Sequence, residues 1–129
     1  MTDAGHSGSP LVGVADLLDL WETGGTPDRL AVKVAVKSSL AVLVETAPGH
    51  AVEVRVPPFA AVQAIEGTRH RRGTPPAVVE CDARTWLSLA AGRLAWADAV
   101  ADGRVRASGE RSDLSAYLPL AVPPAGETA

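Results

Sequence analysis

The chain is poor in the groups that metal, redox and nucleic-acid chemistry require. Cys81 is the one cysteine in 129 residues; it has no partner for an internal disulfide, which suits a reducing, cytoplasmic setting. His6, His50 and His70 stand in a polar start, a turn and a loop, and with one cysteine they form no zinc-ligand spacing, so neither metal nor cofactor is expected. Lys and Arg number 12 against 15 Asp and Glu, a formal charge of −3. Without a basic excess to neutralise phosphates, nucleic acid is not an expected partner. No apolar run approaches the ~20 residues that span a bilayer, and the first residues lack the basic-then-apolar pattern of a secretory leader. Phosphate-cradling loops, a dinucleotide fingerprint and a nucleophile elbow are all missing, so no enzymatic activity is expected. Large rings are scarce: three Trp, one Tyr and one Phe.

What is present is apolar and small. Hydrophobic residues make up 47% of the chain and charged residues 21%, a balance that supports a packed core rather than disorder. Much of the apolar content is Ala and Val, so the few rings must supply most of the large buried area. The length suits one domain, residues 1–129, able to bury about two-thirds of its unfolded surface. Residues 1–10 and 121–129 are small, polar or proline-rich and are expected to be flexible ends.

Along the chain, Val14, Leu17, Leu18 and Trp21 follow i, i+3, i+4, i+7, and Gly24-Gly25 closes a helix over 11–23. Val52, Val54 and Val56 alternate with Glu53 and Arg55, a strand with one solvated face. Pro57-Pro58 then marks a bend or an edge, and a second strand runs from Phe59 to Ile65. A polar loop, 66–76, carries the cluster Arg69-His70-Arg71-Arg72.

The last third has the clearest order. Val78 and Val79 begin a strand after Pro75-Pro76. Asp82 is placed to cap a helix in which Trp86, Leu89 and Ala90 share a face, and Gly92 ends it. Trp96, Ala99 and Val100 repeat the pattern up to Gly103, with Asp98 and Asp102 on the solvated side. Arg104 to Ser108 alternates as a strand. Ser112 or Asp113 then caps a final helix through Leu114, Tyr117 and Leu118, limited by Pro119.

This run resembles the C-terminal half of the sterol carrier protein 2 family, and is most similar to its stand-alone bacterial members. The motifs that carry the likeness are Gly92-Arg93-Leu94, the short helix Trp96 to Val100, and Gly103-Arg104-Val105-Arg106-Ala107-Ser108-Gly109. The resemblance implies a non-enzymatic module enclosing an apolar cavity for a fatty acid, acyl-CoA or sterol-like lipid. The final residues, Gly-Glu-Thr-Ala, lack the peroxisomal address that eukaryotic relatives often carry.

The segment 27–47 admits two readings. Val32, Val34 and Val36 alternate with Lys33 and Lys37, as in a strand. However, Thr26-Pro27 and Pro48-Gly49 make good helix boundaries. At 100° per residue, Lys33, Lys37, Ser38 and Glu45 oppose Val32, Val36, Leu40 and Leu43. The family also places a helix before its first strands, and a helix is predicted. The fold expected is therefore α/β of the α+β type: one domain, a mainly antiparallel sheet covered by helices on one face, sterol-carrier-like.

A binding function would reside in the large apolar positions. Phe59 and Val62 from the sheet, with Trp86, Leu89, Trp96, Tyr117 and Leu118 from the helices, are the candidate cavity residues. Arg69, Arg71 and Arg72 are candidates for an anionic head group, since guanidinium groups bind such oxygens bidentately. Cys81, just before a helix N-terminus, has one feature of a reactive thiol, but a buried, inert cysteine is the expected case. The alternative to a lipid carrier is a packed module that binds a protein partner, a second copy or a separate enzyme.

Overall fold

The computed structural model describes residue 11 and residues 13–67, 76–109 and 112–120. The predicted flexible ends and the Arg69 to Arg72 cluster, with His6 and His70, lie outside these residues.

Helix α1 (Val14–Glu22) turns Val14 and Leu18 inward. Helix α2 (Arg29–Thr46) resolves the ambiguous segment, because burial falls at Val32, Ala35, Val36, Ser39, Leu40, Val42 and Leu43, the period of a helix rather than a strand. Its cap differs from expectation. Asp28, not Thr26, occupies the N-cap, and its carboxylate accepts from the Ala31 N–H at 3.0 Å. A carboxylate satisfies the third amide of the helix directly, which leaves Pro27 outside, where its missing N–H costs nothing.

Strands β1 (Val52–Val56) and β2 (Ala60–Ala64) pair antiparallel with Val54 opposite Val62. Strand β3 (Ala77–Cys81) lies parallel to β1, and β4 (Val105–Ser108) pairs antiparallel with β3. The sheet order is β2-β1-β3-β4, with two antiparallel pairings and one parallel. One face sends Val52, Val54, Val56, Val79, Cys81 and Val105 into the core. The other carries Glu53, Arg55, Glu80 and Arg106, with Arg55 paired to Glu53 at 3.0 Å and lying 3.9 Å from Glu80.

Between β3 and β4 come helices α3 (Ala83–Ala90) and α4 (Trp96–Ala101). Asp82 caps α3 as expected, accepting from the Thr85 N–H at 2.8 Å. Gly92 and Gly103 follow the two helices at φ +81° and +76°, the left-handed backbone that a β-carbon disfavours. Helix α2 packs on β2 and α3, α1 packs on α3, and α4 packs on β4.

The predicted final helix is reduced to a single 3₁₀ turn, Ser115–Tyr117. Leu118 precedes a proline and adopts φ −120°, ψ 142°, because a residue before proline is driven out of the helical region. Neither cap candidate takes the N-cap position, which is Leu114 and has no side-chain cap; Asp113, one residue earlier, accepts from the Ser115 N–H at 2.8 Å. Buried Leu114 and Leu120 pin the segment, and the Leu120 N–H donates to the Ala90 carbonyl at 3.1 Å.

Candidate apolar-ligand site

The candidate residues separate by depth. Trp86 and Leu89 on α3 are closed to solvent, at 0% and 1% exposure. Buried indole needs a partner for its N–H, and Trp86 Nε1 donates to Ser39 Oγ at 2.8 Å. The Ser39 hydroxyl in turn donates to the Ala35 carbonyl at 2.7 Å, with the Val36 carbonyl at 3.0 Å. One hydroxyl thus ties α3 to α2 with its donor and an acceptor site both engaged.

Phe59, Val62, Trp96 and Leu118 are half-buried and pack against the core, while Tyr117 is 37% exposed. The sheet order places Phe59 and Val62 at the β2 edge and α4, with Trp96, at the β4 edge. Phe59 closes the β1–β2 hairpin, its N–H donating to the Val56 carbonyl at 2.9 Å. The Arg29 guanidinium sits 5.1 Å from the centre of its ring, within the range of a cation–π contact. At the same hairpin Arg55, Pro57, Pro58, Phe59, Ala60 and Ala61 line an open depression of about 310 Å³.

The solvent face of α2 adds residues outside the candidate set. Leu30 and Val34 are 65% and 56% exposed, one turn apart. Beside them run Arg29, Lys33 and Lys37, at i, i+4 and i+8, and no acidic residue occurs from Arg29 to Val44. Among the described residues none of the three cations forms an ion pair. In the sequence Val34 reads as one more member of a valine alternation; only the helical wheel separates it from Val32 and Val36.

Cys81 is buried, and its thiol is pushed up to about 12, chiefly by desolvation and then by the carboxylates of Asp82 and Glu80. These effects outweigh the following helix N-terminus, and a thiol held protonated is a poor nucleophile. Asp98 on α4 and Asp102, its C-cap, are both exposed. His50 is exposed, with Nδ1 2.7 Å from Gln63 Oε1.

The sequence profile of a family described as bacterial SCP ortholog matches residues 28–120. The chain belongs to this family. The matched span of the SCP ortholog begins at Asp28, the cap of α2, and ends at Leu120, so it takes in the sheet and α2 to α4 but not α1. Membership points to a lipid-binding, carrier-type role rather than an enzymatic one. No curated protein matches the chain. Among the described residues no helix is long and apolar enough to cross a membrane.

Proposed function

We propose that this SCP ortholog is a non-enzymatic carrier that holds a fatty acyl or sterol-like ligand in its interior and exchanges it at an anionic lipid surface. The observation that carries the proposal is the solvent face of α2. Exposed Leu30 and Val34, flanked by Arg29, Lys33 and Lys37, which form no ion pair among the described residues, combine apolar area with positive charge, the two attractions that hold a helix in a charged lipid interface. This charge stands out on a chain whose formal net charge is −3. The ligand enters at the β2 edge, between Phe59 and Val62. Trp86 and Leu89 form the deep end, and Trp96, Tyr117 and Leu118 complete the apolar set. Arg29, with Arg69, Arg71 and Arg72, attracts an acidic head group. Affinity comes from apolar surface removed from water, about 25 cal/mol per Å², with no catalytic group involved.

Two measurements test this. In a thermal-shift panel of fatty acids, acyl-CoAs and sterols, a ligand at a hundred times its Kd stabilises by about 2.7 kcal/mol, and one lipid class is expected to raise Tm. In vesicle flotation the protein should bind phosphatidylserine-containing vesicles and not neutral phosphatidylcholine ones. Absence of any ligand-induced rise in Tm would overturn the carrier reading; equal binding to both vesicles would overturn the role of α2.

A further inference from the structure

Among the described residues, helix α1 makes its main packing contact with α3. It has nine residues and no side-chain cap at Gly13, too short to persist alone. It docks on α3 by burying Val14 and Leu18, with Leu17 and Trp21 half-buried. Two ion pairs reinforce the docking: Arg93 Nη1 lies 2.7 Å from Asp19 Oδ1 and 3.8 Å from Glu22 Oε2. The tether to α2 is Thr23-Gly24-Gly25-Thr26-Pro27-Asp28, with Gly24 at φ +89° and Pro27 buried. The family match begins after it, at residue 28. By contrast, α3 is fixed to α2 through the buried Trp86–Ser39 bond and to the C-terminal segment through Leu120.

From these contacts we infer that α1 is a strap that detaches as a unit while α2, α3 and the sheet stay folded, its release governed by Arg93 against Asp19 and Glu22. Segments joined to a domain by one small interface open at lower free energy than the core. While docked, α1 backs α3, whose Trp86 and Leu89 are sealed from solvent. Its release uncovers the α1-facing side of α3 and makes room beside them. This loading step rests on the carrier reading above; the detachment does not.

Native-state hydrogen exchange on the full chain, read by mass spectrometry, tests the strap. Amides of residues 17–22 are expected to exchange at least roughly a hundredfold faster than those of Leu40 and Leu43 in α2. Arg93→Ala should speed the α1 amides by roughly two- to fivefold, the worth of exposed ion pairs, and leave α2 unchanged. The double variant Asp19→Ala/Glu22→Ala, made from the other side, should do the same. Equal protection of α1 and α2, or equal acceleration of both by Arg93→Ala, would overturn the strap. Stopped-flow loading of a fluorescent fatty acid should quicken by the same factor in Arg93→Ala; an unchanged rate would overturn the gating role. Failure of the wild type to bind the probe would instead count against the carrier reading, and the exchange data would still decide the strap.

Discussion

The bond between Trp86 and Ser39 makes a quantitative prediction, because both side chains are at 0% exposure and no water can replace a lost partner. Ser39→Ala removes the acceptor and strands the indole N–H, a loss of about 1–3 kcal/mol. Alanine is the better helix former by about 0.5 kcal/mol. The Ala35 carbonyl that accepts from Ser39 Oγ at 2.7 Å sits within α2 and keeps its helical acceptor role. The net expectation is a destabilisation of about 0.5–2.5 kcal/mol. Trp86→Phe removes the donor and leaves a void, costing about 2–3 kcal/mol. With the N–H gone, Ser39→Ala should cost almost nothing further, so the double variant falls short of the sum by about 1 kcal/mol or more. Urea denaturation followed by far-UV circular dichroism measures all four proteins, provided m is unchanged. The reasoning is refuted if Ser39→Ala lies within about 0.3 kcal/mol of wild type, or if the two substitutions are additive to that margin.

Three further outcomes are expected. Lys33→Glu/Lys37→Glu should weaken binding to anionic vesicles at least roughly thirtyfold, at about 1 kcal/mol per charge, and leave urea stability unchanged within about 0.5 kcal/mol. Asp28→Ala should lower stability by about 1 kcal/mol through loss of the α2 cap, read as a lower urea midpoint. The Cys81 thiol, raised from 9.0 to about 12 on folding, should make stability fall with rising pH. Below pH 9 both states keep the proton; between 9 and about 12 only the unfolded state releases it, a slope of about 1.4 kcal/mol per pH unit. Cys81→Ala should lack that slope, and alkylation of the wild-type thiol at pH 8 should track global unfolding.

Much of the fold was legible because local chemistry and burial agree. Asp82, Gly92 and Gly103 set boundaries through short-range backbone needs, and the alternation at Val52–Val56 follows the two faces of the sheet. The helix at Arg29–Thr46 could be read despite its valine alternation, since Pro27 and Pro48-Gly49 bound it and the 100° projection sets Lys37, Ser38 and Glu45 apart from Val32, Val36 and Leu43. Caps were less legible: Thr26, Asp28, Ser112 and Asp113 are all acceptable by type, but geometry selects Asp28 for α2 and places Leu114, without a side-chain cap, before the last turn. The last helix failed because Pro119 restricts Leu118 as well as itself, leaving too few residues for a full turn of α-helix. Nothing local encodes the Trp86–Ser39 bond, which joins residues 47 apart in sequence. The exposed face of α2 was hidden for another reason. Leu30 and Val34 look like core residues by type, and the valine alternation masks the helical projection that sets them opposite Val32 and Val36.

The most direct test of the central claim is the transfer of a fluorescent fatty acid between donor and acceptor vesicles, with protein added at increasing concentration. The account predicts transfer above the spontaneous rate, faster with phosphatidylserine-containing than with neutral vesicles, and reduced toward the neutral rate by Lys33→Glu/Lys37→Glu. A rate that stays at the spontaneous value at every protein concentration, with both vesicle types, would contradict it.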